Sequence, residues 1–90
     1  MRLDLFLTKS RLIKRRALAK TACDKGIVWL DGHRAKASKE ISQGQKITID
    51  FASRLLEVEI LKLPRGNLPK KEAPEVYRVL RETPKDPDRF

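Results

Sequence analysis

Five basic side chains lie within eight residues near the start of the chain, and no other segment is as rich in groups that could do chemistry. They are Lys9, Arg11, Lys14, Arg15 and Arg16. A helical pattern follows them, so the last of them fall at a helix N-terminus, where free N–H groups and the positive end of the dipole favour phosphate. Arginine adds a planar fork that bridges phosphate oxygens or stacks on an unpaired base. The segment therefore predicts an anion-binding corner, which Lys20 extends by one helical turn.

The charge of the whole chain is concentrated in the same half. The 90 residues carry 21 Lys and Arg against 12 Asp and Glu, a net charge of +9. Residues 1–39 hold eleven of the basic residues and only three of the acidic ones. A protein that neutralises a polyanion concentrates its cations, because each phosphate contact releases condensed counterions. The alternative is a solvated face of like charges, which would repel one another by a few tenths of a kcal/mol along a helix. No acid between Lys9 and Lys20 offsets that repulsion, so we favour the polyanion site.

A second basic group follows a predicted hairpin turn at Asp31-Gly32. It comprises Arg34, Lys36, Ser38 and Lys39. We expect it to join the first group only if the hairpin folds beside the helices. Trp29, in the first strand of that hairpin, either stacks on a base or braces the hairpin, and bracing is the commoner role of a lone tryptophan.

Catalytic and metal-binding patterns are missing from the sequence. Cys23 is the only cysteine and His33 the only histidine, too few soft ligands for a zinc site or a disulfide framework. There is no glycine-rich phosphate loop, Walker pattern or zincin helix, and Cys23 fits a small core hydrophobe. We therefore predict a protein that is not an enzyme and needs no cofactor and no metal. Without a long apolar run or signal-peptide pattern, we expect it to be cytoplasmic and to have no membrane partner.

Hydrophobic periodicity predicts an α+β fold, with two N-terminal helices packed on a small antiparallel β-meander. Helices are expected over residues 3–9 and 15–25, the second with an apolar stripe of Leu18, Ala19, Ala22 and Cys23. Strands are expected over residues 27–30, 33–36, 46–51 and 54–63, joined by turns, of which Asp31-Gly32 is the strongest signal. All five prolines follow residue 63. We therefore predict a domain over 1–63, followed over 64–90 by a linker, a short ordered segment at 72–82 and a loose C-terminal tail.

Several motifs, taken together, resemble a known family. They are Met-Arg-Leu-Asp at 1–4, Leu-Ile-Lys-Arg-Arg-Ala-Leu-Ala at 12–19, Gly-Ile-Val-Trp-Leu-Asp-Gly at 26–32, Lys-Ala-Ser at 36–38 and Ile-Ser-Gln-Gly-Gln-Lys-Ile at 41–47. The chain is similar to the RNA-binding domain first named from small-subunit ribosomal protein S-four, in a stand-alone form. It looks most like the RqcP (ribosome quality control) type, and next most like the related heat-shock protein fifteen.

This resemblance implies a function that charge alone does not. It implies binding to large-subunit rRNA on large ribosomal subunits that still carry peptidyl-tRNA after a stalled ribosome splits. The RqcP type is associated with C-terminal tailing of the stalled chain, alongside a larger tRNA-recruiting quality-control protein. By the same resemblance, Arg2 and Arg16 would contact rRNA, with Asp4 ordering the first helix and its arginines. Arg15 stands where many family members place a capping threonine or serine. We expect the protein to act as a monomer.

Other interpretations of the sequence stay open. The first is a heat-shock-type recycling factor for blocked large subunits, although the tail is short for that type and the Lys-Arg-Arg triplet suits the RqcP type better. The others are a generic structured-RNA-binding module or chaperone, the detached recognition module of an RNA-modifying enzyme, and a small DNA-associated basic protein.

Overall fold

The two helices form where the apolar periodicity places them. The computed structural model describes residues 1–64 and 75–85, and α1 spans Leu3–Lys9 and α2 spans Arg16–Asp24. Leu3, Phe6 and Leu7 of α1 are fully buried. Gly26, with a φ of +75°, follows α2, a left-handed conformation that glycine adopts without strain. Within the described part of the chain, neither helix is long and apolar enough to cross a membrane.

Five antiparallel strands form one sheet. They are β1 (Val28–Leu30), β2 (His33–Arg34), β3 (Lys46–Asp50), β4 (Arg54–Ile60) and β5 (Tyr77–Pro84). The sheet order is β2-β1-β3-β4-β5, so β3 pairs with β1 rather than continuing the meander from β2. Asp31 and Gly32, with φ of 50° and 84°, form the predicted tight turn between β1 and β2. The predicted α+β class, with two N-terminal helices on an antiparallel sheet, is confirmed.

The helices cover one face of the sheet. The residues that alternate toward that face are buried to 5% exposure or less: Val28, Leu30, Ile47, Ile49, Leu56, Val58 and Ile60. They meet the apolar sides of α1 and α2, including Ala19 and Ala22. Burying a side chain of this size contributes about 1.5–3 kcal/mol, so this single layer of contacts holds the helices in place.

One member of the expected apolar stripe was predicted wrongly. Leu18 is 54% exposed, whereas Ala19, Ala22 and Cys23 are buried. The buried residues of α2 are small, so the helix packs closely against its neighbours through a narrow strip of its surface, which we call the buried arc. Leu18 precedes Ala19 by about 100° around the helix and falls outside that arc.

The ordered segment expected over 72–82 is a helical turn at residues 75–76 followed by β5, which pairs with β4 along its length. Residues 65–74, which include the expected linker after residue 64 and the start of the expected ordered segment, lie outside the described residues, as do residues 86–90 of the expected tail. Residues 83–84, expected in the loose tail, belong to β5 because they pair with β4. The division of the chain at residue 63 stays a prediction.

The start of α2 leads to a first prediction. Arg15 occupies the N-cap with an extended backbone and makes no side-chain capping bond. Arg15→Ser supplies the missing acceptor and should raise the free energy of unfolding by about 0.5–2 kcal/mol, measured by urea denaturation. Arg15→Ala is the matched control, since it removes the same charge without adding a cap. Equal stabilities of the two variants would contradict this account of the helix start.

Candidate nucleic-acid interface

A buried carboxylate connects the N-terminal ends of α1 and α2. Asp4, in the first turn of α1, has a side chain that is only 2% exposed. The Arg2 guanidinium donates to it from Nε and Nη2, each at 3.2 Å. Arg16, the first residue of α2, donates from Nε to Oδ2 at 3.4 Å. We call these three residues the Arg2–Asp4–Arg16 cluster.

Asp4 holds both arginines of the cluster in place, but their side chains remain partly exposed to solvent. Their side chains are 43% and 55% exposed, in contrast to the buried carboxylate between them. A guanidinium has five N–H donors, of which Arg2 uses two and Arg16 one on Asp4. Both side chains therefore keep donors that face solvent while their stems are fixed. Such fixation lowers the entropy lost when a ligand binds.

The basic corner, residues 9–16, connects α1 to α2 beside this cluster. Arg11 has a φ of 65°, and its N–H bonds to the Thr8 carbonyl at 3.0 Å. A left-handed conformation in a residue other than glycine costs about 1 kcal/mol or more. Ile13 anchors the corner in the core while Arg11, Lys14 and Arg15 are exposed. Lys20 is exposed one turn beyond Arg16, as predicted, and Lys9 lies half-buried at the end of α1.

The second basic group is tied to the start of α1. We call residues 35–41 the return segment. Its backbone accepts the Leu3 N–H at the Lys39 carbonyl (2.9 Å) and the Asp4 N–H at the Ala37 carbonyl (3.1 Å). The Ile41 N–H in turn bonds to the Met1 carbonyl at 3.0 Å. These bonds place exposed Lys36, Ser38 and Lys39 next to the residues that precede α1, which meets the condition set by the sequence.

Arg34 differs from the other predicted site residues because it contacts an aromatic ring. Its guanidinium carbon lies 5.8 Å from the centre of the Trp29 ring, within cation–π range. Its side chain also passes over Gly26, where an added Cβ would lie 3.2 Å from Nε. Arg34 and Trp29 thus brace each other on the hairpin, in line with the bracing role favoured for Trp29.

Charge pairing differs sharply between the two parts of the molecule. On β4, on β5 and just after β5, three basic residues have acidic partners, whereas Lys46 and Arg81 have none among the described residues. The pairs are Arg54 with Glu82, Arg78 with Glu59, and Lys85 with Asp50. In residues 1–64 and 75–85, no acid pairs with the following basic residues of the N-terminal half: Arg11, Lys14, Arg15, Lys20, Lys36 and Lys39. Most of the positive charge without an acidic partner among the described residues therefore lies on the basic corner, the return segment and α2.

Cys23 does not extend the site. Burial, aided by the negative charges of Asp4 and Asp24, raises the pKa of its thiol from 9.0 to about 11. A thiol is nucleophilic only as the thiolate, so Cys23 is a packing residue of α2. Among the described residues, no group of three or more His, Cys, Asp or Glu could hold a metal ion.

The chain is similar in sequence to known proteins. The family described as the S4 domain matches residues 1–47. An RQC P-site tRNA stabilizing factor from Bacillus subtilis is 43% identical over 82 residues, which are 91% of this chain and 94% of that protein. A protein of the same name from Helicobacter pylori is 44% identical over 73 residues, covering 80% and 87%.

A solved structure shares the fold. The trimeric structure of heat shock protein 15 from Vibrio cholerae superposes with a TM-score of 0.80 at 32% identity, covering 88% of this chain and 80% of that one. Both the sequence and the structural similarities therefore extend beyond the 47 residues of the family match.

The cluster leads to a second prediction. Asp4→Asn keeps the shape of the side chain but weakens three charge-assisted bonds and removes a favourable charge at the start of α1. It should lower the free energy of unfolding by about 1–3 kcal/mol, measured by urea denaturation. Glu40→Gln is the control, because Glu40 pairs with the N-terminal amine while 76% exposed, and such pairs contribute about 0–1 kcal/mol. An equal decrease in the free energy of unfolding for the two variants would show that the burial of Asp4 does not contribute to stability.

The thiol gives a third prediction. At pH 8 a pKa of about 11 leaves roughly a hundredth of the thiolate present at the unperturbed pKa of 9.0. Iodoacetamide should therefore alkylate Cys23 about a hundredfold more slowly in the folded chain than in urea, as followed by mass spectrometry. Similar rates in the two states would contradict the burial.

Proposed function

Because the chain belongs to the S4 domain family and is of the RQC P-site tRNA stabilizing factor type, we propose that it is a non-enzymatic RNA-binding factor of ribosome quality control. It binds large-subunit rRNA and peptidyl-tRNA on large ribosomal subunits left after a stalled ribosome has split. In doing so it holds the tRNA in place while the nascent chain receives its C-terminal tail. It acts in the cytoplasm as a monomer on the subunit, with a larger tRNA-recruiting protein as its partner.

The observation that carries this proposal is the Arg2–Asp4–Arg16 cluster. Two arginines fixed on one buried carboxylate present their remaining donors toward solvent. Two guanidinium groups held at a set spacing suit the phosphates of a folded RNA better than those of a flexible chain, because planar forks recognise oxygens in pairs. Arg2 and Arg16 are accordingly the central contacts of the proposed site.

The remaining cations extend the contact on both sides of the cluster. On one side lie the basic corner and Lys20, and on the other the return segment with Lys36, Ser38 and Lys39. Arg11, Lys14, Arg15, Lys20, Lys36 and Lys39 have no acidic partner among the described residues, so their charge is available to phosphate. Lys9 and Arg34 add to the field from more constrained positions.

A heat-shock-type recycling function is the second candidate. The fold similarity to heat shock protein 15 favours it. The full-length relatives at 43–44% identity favour the tRNA-stabilizing function instead. Both candidates use the same RNA-binding face and differ in the step that follows binding to the large subunit.

The proposal gives a fourth prediction. Arg16→Ala should weaken binding to large ribosomal subunits by about 1–3 kcal/mol and reduce the salt dependence of binding by about one phosphate contact. Co-sedimentation through sucrose gradients at several salt concentrations measures both effects. Arg78→Ala is the matched control: it removes one arginine from β5, outside the two basic groups, and should change binding little.

Two results would overturn the proposal. One is unchanged co-sedimentation of the Arg16→Ala variant. The other is equal affinity of the wild-type chain for structured RNA and duplex DNA at physiological salt, because A-form RNA is recognised through its backbone geometry and 2′-hydroxyls.

A further inference from the structure

A groove separates the tip of the β1–β2 hairpin from the return segment. Its volume is about 390 Å³, within the range of about 300–1,000 Å³ typical of small-molecule sites. Ala35 supplies partly buried apolar surface to its lining, and Arg34, Lys36 and Lys39 supply positive charge. The groove is thus large enough for a nucleotide and has both apolar and cationic walls.

A single carboxylate also lines this basic groove. Asp31 is held in place by its own contacts, accepting the Lys46 N–H at 2.9 Å and the Gln45 Nε2 at 3.1 Å. Gln45 lines the groove as well, and its Oε1 accepts the Ser42 N–H at 2.7 Å. The two side chains therefore present, side by side, a carboxylate acceptor and an amide donor in fixed orientation.

This pair of groups distinguishes a nucleobase from a phosphate. A carboxylate repels a phosphate but accepts a hydrogen bond from an exocyclic amino group. An acceptor beside a donor matches the edge of adenine or cytosine, each of which has an amino group next to a ring nitrogen that accepts. Uracil presents a carbonyl oxygen where those bases present the amino group, and so offers an acceptor to an acceptor.

We propose that the groove binds one unpaired nucleotide of the RNA, with its base lying on Ala35. The amino edge of an adenine or cytosine faces Asp31 and Gln45, and its phosphate lies at Lys36 and Lys39. This inference rests on the proposed function, and it adds to that function a preference for an unstacked base. The site is continuous with the main contact surface, since Lys39 and Ala37 are bonded to the backbone that follows Arg2.

The test uses the full chain and three fluorescent RNA hairpins of one stem sequence. One carries a single bulged adenine, one a single bulged uracil and one no bulge, and dissociation constants are measured by anisotropy. We expect the bulged adenine to bind on the order of tenfold more tightly than the fully paired stem, with the bulged uracil between them.

Two variants locate the effect in the groove. Asp31→Asn retains an oxygen for the Lys46 N–H, and asparagine tolerates the φ of 50° at this position. It should bring the affinities for adenine and uracil bulges within about twofold of each other. The Lys36→Ala, Lys39→Ala double variant should weaken the bulged RNAs more than the paired stem, whereas the Arg78→Ala control should leave all three affinities unchanged.

The outcomes separate this inference from the function on which it rests. If all three hairpins bind equally and all lose affinity with Arg16→Ala, the groove is not a nucleotide site and the proposed function stands. If the adenine preference persists in Asp31→Asn, the assignment of the base edge is wrong. If no hairpin binds more tightly than duplex DNA, both the groove site and the proposed function are overturned.

Discussion

The interface depends on one buried charge. Asp4 is removed from water in the first turn of α1, and a buried carboxylate is costly unless it is paired and hydrogen-bonded. Arg2 and Arg16 provide that pairing, and in doing so they fix the start of the chain against the start of α2. The same contacts orient two long, flexible side chains whose other donors face solvent. Stability of the helical pair and orientation of the proposed RNA-binding side chains therefore come from a single set of hydrogen bonds.

The distribution of charge along the sequence has a structural origin. The second half of the chain combines many charged residues with little net charge, and some of its cations pair with acids on a neighbouring strand, as Arg78 does with Glu59. By contrast, Arg11, Lys14, Arg15, Lys20, Lys36 and Lys39 have no acidic partner among the described residues. The backbone bonds from the return segment to Leu3 and Asp4 bring both basic groups together, although 17 residues separate Arg16 from Arg34 in the sequence. The fold thus forms the proposed binding face from two separate segments.

Local patterns predicted local structure well and tertiary contacts poorly. Periodicity located both helices and the first four strands, and Asp31-Gly32 identified its turn, because these depend on neighbouring residues. Leu18 was misplaced because the width of the buried arc depends on what packs against α2. The pairing of β3 with β1 and the groove beside Asp31 depend on contacts distant in sequence, which no local pattern encodes. Charge counting found the basic segments, but the roles of Arg2 and Asp4 came only from the family resemblance, and their geometry only from the structure.

The central claim is that Asp4 makes Arg2 and Arg16 act as one RNA-binding unit, and a double-mutant cycle measures this directly. The affinity for structured RNA is determined for Arg2→Ala, Arg16→Ala and the double variant, in the wild-type chain and again with Asp4→Asn. The account predicts a coupling of about 1 kcal/mol or more between the arginines in the wild-type chain and close to none when Asp4 is replaced. If the losses of binding free energy are additive in both the wild-type and the Asp4→Asn chain, the two arginines bind RNA independently. That result would contradict the central claim.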